Sequence, residues 1–259
     1  MTDTNHQIRA ILFDLGETLL NFGRVSTIRL FRKGARLAYD YLKNLNQPVG
    51  NFEYYCWKNL IILRFYNLIS AITGNDFDSM TLLKKIGAKS GIKLNDNQWR
   101  QMIWLIYQPL SQAGRPELDI VRTLTELKKM GLKLGIVSNT FVNGVCLDRH
   151  LEQTGILDFF ELRMYSYQFD FRKPDVRIFR TAAEKIREPL ENILFVGDRI
   201  DNDIKPAVRA GMQTALKTAY TNTGRKIPTG VWKINNLSEL PALITKVNQP
   251  LKKYNSPRL

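Results

Sequence analysis

The stretch Ala10-Ile11-Leu12-Phe13-Asp14-Leu15-Gly16-Glu17-Thr18 decides the fold of this chain. Four apolar residues in a row, followed by a polar residue and a glycine, predict a short buried strand that ends in a turn. The strand therefore presents the carboxylate of Asp14 at the edge of a sheet. Open α/β sheets bind their ligands at that edge, outside the carboxyl ends of the strands. Asp14 is the first candidate site residue.

The rest of the chain from Glu117 alternates between strand and helix patterns. Besides the strand at 8–13, short apolar runs predict strands at 132–137, 162–165, 193–196 and 214–217. Between and after them, apolar residues at helical spacing predict helices from 118, near 143–153, from Pro174, near 203–210 and near 238–247. Alternation of this kind predicts an α/β fold with a Rossmann-like parallel sheet and helices on both faces.

Residues 24–111 interrupt that alternation with helical patterns only. Apolar residues recur at helical spacing around 28–41, 60–72, 79–89 and 95–108, which predicts a four-helix insert. The stretch from Gln108-Pro109 to Gly114-Arg115-Pro116 is expected to return the chain to the sheet. The sequence thus predicts an α/β core domain formed by 1–20 and 112–259, and a helical-bundle cap domain formed by 21–111.

Polar and charged residues mark three more element ends. Ser138-Asn139 follows the strand at 132–137, Lys173-Pro174 precedes a helix, and Gly197-Asp198 ends the strand at 193–196 with Asp203 close behind. The carboxyl ends of parallel strands share one edge of a sheet, so these side chains are expected to converge on Asp14.

In this order the four motifs resemble those of the haloacid dehalogenase-like (HAD) phosphohydrolases, over about 150 residues outside the insert. The resemblance implies that Asp14 attacks phosphorus and forms an aspartyl-phosphate. It implies that Lys173 stabilises the charge that develops between Asp14 and the phosphoryl group. Ser138 and the backbone N–H of Asn139 would bind the other phosphate oxygens.

The resemblance also implies a Mg²⁺ site. Its ligands would be the carboxylates of Asp14 and Asp198 and the backbone carbonyl of Gly16, with Asp203 binding through water or orienting the other ligands. These are the hard oxygen ligands that Mg²⁺ prefers.

Gly16 departs from the family pattern, which usually reads Asp-x-Asp-x-Thr. The second aspartate normally protonates the leaving oxygen and then activates water, and glycine does neither. Three functions stay open. The first is a phosphatase biased to good leaving groups, and the second is a weak or inactive binding or regulatory module. The third is a dehalogenase- or phosphonatase-type hydrolase, although the retained metal ligands argue against a dehalogenase and a phosphonatase would need an insert lysine such as Lys58.

Charge and composition limit the kinds of partner that the chain is expected to bind. Of the formal net charge of +14, the 13 basic and 5 acidic residues between 21 and 111 supply +8. Such a surplus favours a small anionic, phosphorylated substrate, and also an acidic protein partner on the cap. The basic residues are scattered and no nucleic-acid module accompanies them, which disfavours nucleic acid. Cys56 and Cys146 are too far apart in sequence for a metal motif and are expected to be buried free thiols.

No apolar run reaches the ~20 residues of a membrane span. The first residues do not form a signal peptide. The sequence therefore predicts a soluble, cytoplasmic protein that does not engage a membrane.

Overall fold

The computed structural model describes residues 7–249. Residues 1–6 and residues 250–259 lie outside the described part. The described strands are β1 Ala10–Phe13, β2 Lys133–Ser138, β3 Leu162–Tyr165, β4 Ile193–Gly197, β5 Gln213–Lys217 and β6 Trp232–Ile234. The helices are α1 Thr27–Asn44, α2 Phe52–Thr73, α3 Ser79–Lys89, α4 Asp96–Ala113, α5 Ile120–Lys129, α6 Gly144–Gln153, α7 Val176–Ile186, α8 Lys205–Ala210 and α9 Leu240–Asn248.

The six strands form one parallel sheet in the order β3-β2-β1-β4-β5-β6. Strand β1 lies in the middle, and Phe13 pairs with Ile136 of β2 on one side and Val196 of β4 on the other. This register brings Asp14 level with the last residues of both neighbours. The apolar strand sequences are consistent with their burial, because parallel strands are covered on both faces.

Helices cover both faces of the sheet, as the sequence predicts. On one face, Ile11 and Phe13 pack with buried residues of α5, α6 and α9. On the other face, Ala10 and Leu12 pack with buried residues of α7 and α8. The alternation along β1 follows from the two-residue period of a strand.

The four helices of the insert pack on one another, with α1 against α4 as the main contact. Gly34 permits this contact, because a Cβ atom there would lie 2.1 Å from the carbonyl oxygen of Ile106. The two chain segments that join the insert to the sheet run side by side, and Asn21 and Arg115 exchange two backbone hydrogen bonds of 2.8 and 3.1 Å. The domain boundaries at 20/21 and 111/112 stay predictions.

Three local predictions are corrected. Strand β6 was not predicted, because its three residues are too short for an alternation signal. Helix α4 continues through Pro109 to Ala113 and does not end near 108. Pro174 precedes α7 without opening it, since Asp175 is the N-cap and its side chain accepts a hydrogen bond from the Arg177 N–H at 2.8 Å.

Two other features can be checked in the described residues. Cys56 and Cys146 are both buried and free, as the sequence predicts. Between residues 7 and 249, no helix is long and apolar enough to cross a membrane.

Candidate active site

Three carboxylates meet at the edge where β1 and β4 end. Asp14, Asp198 and Asp203 are all buried, and each offers an oxygen within 4.8 Å of the others. The parallel register explains why Asp14 and Asp198 lie close together, because Asp14 follows β1 and Asp198 follows the neighbouring strand β4. Burial raises the pKa of Asp14 to about 7, and it also raises the pKa of Asp198. Neighbouring carboxylates add to both shifts.

Lys173 is the cation at the centre of this cluster. Its buried Nζ lies 2.5 Å from Asp14 Oδ1 and 2.7 Å from Asp203 Oδ1. Burial lowers the pKa of Lys173, but the two carboxylates outweigh that effect and the net shift is upward. One ammonium faces three carboxylates, so the cluster carries a surplus of negative charge that a cation can balance.

The side chain of Asp198 is held by residues from two loops. Thr221 donates its hydroxyl to Oδ2, and the Thr18 hydroxyl lies 3.4 Å from Oδ1. Asn222 donates to the backbone carbonyl of Asp198 at 2.8 Å. Thr18 therefore orders the carboxylate that the sequence assigns to metal binding. The contributions of Thr221 and Asn222 were not predicted, because no motif marks the loop after β5.

Asp203 reaches the cluster because Gly197 has no side chain. A Cβ atom at Gly197 would lie 2.5 Å from the Cβ atom of Asp203. The backbone N–H of Arg199 donates to Asp203 Oδ2 at 2.9 Å, which fixes the carboxylate. The other oxygen, Oδ1, is buried and contacts Lys173, but no hydrogen-bond donor is aligned with it.

Ser138 is the last residue of β2, Asn139 follows it, and both line the same cavity as Asp14. The Asn139 side chain is engaged with the lysine motif. Its Oδ1 accepts from the Lys173 N–H at 2.9 Å, and its Nδ2 donates to the Lys173 carbonyl at 2.6 Å. The side chain of Asn139 thus positions the backbone of Lys173, a role that the sequence did not predict.

Gly16 lies beside Asp14 on the cavity wall, and Glu17 follows it. A Cβ atom at Gly16 would meet no heavy atom within 4 Å, so the space for a side chain exists. The Glu17 carboxylate accepts the backbone N–H groups of Phe22 and Gly23, both at 3.0 Å. Glu17 is therefore used to order the turn into the insert and does not replace the missing acid.

The residues surround a cavity of about 620 Å³ that lies between the sheet edge and the insert. Six of the predicted site residues line this cavity: Asp14, Gly16, Ser138, Asn139, Lys173 and Asp203. Three guanidinium groups that the sequence did not assign join Lys173 in the lining: Arg24, Arg172 and Arg199. Four cationic side chains around one cavity make it suited to an anionic ligand. Arg24 also lies over the ring of Tyr220, 5.7 Å from its centroid.

A loop of the insert docks on the core beside this cavity. The buried carboxylate of Asp76, between α2 and α3, pairs with the Arg172 guanidinium at 2.5 Å and accepts the hydroxyl of Ser166. Next to it, the ring of Phe77 stacks on Phe141, with centroids 5.0 Å apart. No sequence pattern predicts this contact, because the partners are up to 96 residues apart.

All the predicted site residues, Asp14, Gly16, Ser138, Asn139, Lys173, Asp198 and Asp203, thus lie at one edge of the sheet. His150 and the insert lysine Lys58 lie elsewhere. His150 is buried between the Tyr107 hydroxyl at 3.0 Å and the Gly114 carbonyl at 2.8 Å. Lys58 donates to Ser90 at 2.9 Å and lines a different cavity.

Comparison with known proteins agrees with this architecture. Residues 8–211 match the family described as haloacid dehalogenase-like hydrolase. The chain is 33% identical over 254 residues to a glyceraldehyde 3-phosphate phosphatase of Methanocaldococcus jannaschii, and the match covers 93% of this chain and 99% of the relative.

Two solved structures share the fold. A 2-haloacid dehalogenase from Pseudomonas syringae pv. Tomato DC3000 superposes with a TM-score of 0.59 at 20% identity, covering 93% of this chain and 99% of that chain. A HAD phosphatase from Thermococcus onnurineus has a TM-score of 0.57 at 19% identity, covering 92% and 98%. At these identities the structural likeness shows the fold alone. With the sequence matches, it shows that the chain belongs to the haloacid dehalogenase-like hydrolases.

Proposed function

We propose that this phosphatase-type hydrolase cleaves phosphate esters or anhydrides in a Mg²⁺-dependent reaction that passes through an aspartyl-phosphate at Asp14. The observation that carries the proposal is the contact of Lys173 with both Asp14 and Asp203 inside a cluster of three buried carboxylates. The relative from Methanocaldococcus jannaschii is named for a phosphate ester substrate, which supports the same class here.

The residues present fit a magnesium ion. The donor set is made of hard oxygens, one carboxylate oxygen of Asp203 lacks an aligned donor, and the cluster has more negative than positive charge. Asp14, Asp198 and the Gly16 carbonyl would hold the ion, with Asp203 as a direct or water-bridged partner. When bound, Mg²⁺ supplies a positive charge that allows an anionic carboxylate to approach an anionic phosphate.

The protein's own residues then account for the first step. An oxygen of Asp14 forms a bond to phosphorus while the bond from phosphorus to the leaving oxygen breaks. Lys173 orients that carboxylate and stabilises the charge on the transferred group. Ser138 and the backbone N–H of Asn139 bind its non-bridging oxygens. Water hydrolyses the acyl phosphate in a second step.

Gly16 sets the substrate preference of this reaction. No carboxyl group at position 16 protonates the leaving oxygen, and the Glu17 carboxylate is engaged by Phe22 and Gly23. Leaving groups that depart without a proton are therefore favoured, such as the phenolate of an aryl phosphate and the carboxylate of an acyl phosphate. The phosphonatase alternative lacks support, because no insert lysine is among the described residues that line the cavity.

A turnover screen tests the proposal. Aryl, acyl, alkyl and sugar phosphates are offered with Mg²⁺ to the wild type, Asp14→Asn, Gly16→Asp and Gly16→Asn. We expect aryl and acyl phosphates to be the best substrates and Asp14→Asn to be inactive. Gly16→Asp should raise alkyl phosphate turnover by ~10²-fold, the usual effect of a general acid. Gly16→Asn, which fills the same space without an acid, should not.

The exposed Asp158→Asn is the control for Asp14→Asn and should keep full activity. A wild type that turns over no phosphate with Mg²⁺, yet binds a phosphate mimic at Asp14, would favour the binding module instead.

A further inference from the structure

Another cavity, of about 360 Å³, lies between the helical insert and the core. Residues of α1, α2, α3 and α4 line it from the insert, and Phe141, Val142 and Cys146 line it from the core. Most of its lining is aliphatic or aromatic, and much of that lining comes from Leu30, Phe31, Leu60, Leu63, Leu83 and Ile103. Its polar members include Arg64 and Asn67, which are exposed at its outer rim. None of the described residues that line it is a carboxylate.

This cap cavity adjoins the catalytic cavity. Thr27, Tyr107, Leu110 and Val142 line both of them. Only one layer of side chains therefore separates the two cavities at this point. Three of these side chains, those of Tyr107, Leu110 and Val142, are mainly apolar. Three of the four, Thr27, Tyr107 and Leu110, belong to helices α1 and α4 of the insert.

Resting on the proposed phosphatase activity, we propose that the cap cavity receives the apolar part of the leaving group. The substrate class is then a phosphate monoester of a large apolar phenol, and not of a small polyol. A cavity of about 150 Å³ holds one benzene molecule, so 360 Å³ has room for roughly two such rings. Sites of this kind combine an apolar pocket with a few placed polar groups, here the phosphate-binding edge.

A series of 4-alkylphenyl phosphates tests this inference, because the alkyl group changes the apolar area while the acidity of the phenol stays nearly constant. We expect kcat/KM to rise by ~3- to 4-fold for each added methylene until the cavity is filled, as expected for burial of apolar carbon. The matching alkylphenyl phosphonates, which are not hydrolysed, should show the same trend in Kd.

Filling the cavity should abolish the trend. Leu63→Trp places a larger side chain in the cavity from α2, while Ile61→Trp makes the same kind of change on the exposed side of that helix, where the residue is 62% exposed. We expect Leu63→Trp to remove the gain with chain length. Ile61→Trp should keep the gain. If Leu63→Trp does not fold, Leu83→Phe fills the cavity from α3.

The two proposals fail in different ways. Turnover of phenyl phosphate with no gain from longer alkyl groups, in kcat/KM or in phosphonate Kd, overturns the cap-cavity proposal and leaves the phosphatase intact. Phosphonate affinity that rises with chain length, without turnover of any phosphate, supports the cavity and overturns the phosphatase. A gain that survives both cavity-filling variants also overturns the cap-cavity proposal.

Discussion

Lys173 is the residue on which the electrostatics of the site depend, since it is the cation in contact with both Asp14 and Asp203. Removing one partner of a buried ion pair leaves an uncompensated charge and typically costs about 3–5 kcal/mol. We expect Lys173→Met, at pH 8 without Mg²⁺, to lower the free energy of unfolding by about 3 kcal/mol in urea titrations. Added Mg²⁺ should restore part of this loss.

Lys205→Met is the control for that change. Lys205 pairs with Asp201 at 2.8 Å, but both side chains are about half exposed. Exposed pairs contribute below about 1 kcal/mol, so the variant should unfold almost like the wild type. An equally small effect of Lys173→Met at pH 8 would contradict the view that Lys173 balances the buried carboxylates.

The raised pKa of Asp14, about 7 in the folded protein, gives a pH dependence of stability in the absence of metal. Between about pH 4 and pH 7 the folded state binds more protons than the unfolded state, whose carboxyl groups titrate near their usual pKa. The contribution of Asp14 to stability without Mg²⁺ should therefore fall as the pH rises through that window. The raised pKa of Asp198 acts in the same direction, while burial lowers the pKa of His150 and so acts in the opposite direction.

Urea titrations in a chelator, from pH 4.5 to 8, measure this effect. Asp14→Asn removes the titrating group and should flatten the profile. Mg²⁺ requires the ionised carboxylates, so its stabilising effect should grow toward pH 7. A wild-type profile with the same slope as that of Asp14→Asn in the chelator would show that burial does not raise the pKa of Asp14.

At the scale of the element, the last residue of β4 determines where a candidate metal ligand lies. Gly197 has no side chain, and this leaves room for Asp203. Gly197→Ala would push a Cβ atom against Asp203, while Gly16→Ala enters open space. Loss of such supporting contacts typically weakens metal affinity ~10- to 100-fold. We expect this loss for Gly197→Ala in Mg²⁺ titrations followed by thermal unfolding, and a change below ~2-fold for Gly16→Ala. Equal affinities in the two variants would contradict a role of Asp203 at the metal.

The sequence predicted the elements whose signals are local and missed those that depend on context. Five strands were predicted close to their observed bounds, because each is a short apolar run between turn residues. Strand β6 has three residues, and its pairing with β5 decides its conformation. Pro109 suggested a helix end, but the buried face of α4 continues to Ser111 and packing outweighs that local preference.

The same limit applies to the site. The sequence predicts the main site residues because each follows or precedes an element with a clear pattern, and a parallel sheet brings those ends together. These residues are Asp14, Ser138, Lys173 and Asp198. The partners Thr221, Asn222 and Asp76 come from loops, where a hydroxyl, amide or carboxylate has no distinctive spacing. The cavities were equally hidden, because they depend on how side chains distant in sequence pack across α1 to α4.

At the scale of the whole molecule, the pairing of Asp76 with Arg172 joins the insert to the loop that carries Lys173. Arg172 lines the catalytic cavity and directly precedes Lys173, while Asp76 lies on the loop between α2 and α3. The insert forms one wall of this cavity, and in the proposed reaction it would limit the access of water to a bound substrate. The contact therefore couples the position of the insert to the position of Lys173.

Asp76→Asn should loosen this coupling, because an amide keeps the size of the carboxylate but loses the charge that faces Arg172. We expect KM for aryl phosphates to rise several-fold, with a smaller change in kcat, and hydrogen exchange to become faster in residues 74–79 and 139–143. Asp96→Asn is the matched control, since Asp96 pairs with Lys84 at 2.7 Å within the insert and is exposed. It should change neither quantity. Faster exchange in Asp76→Asn with unchanged KM would mean that the loop docks on the core without controlling substrate binding.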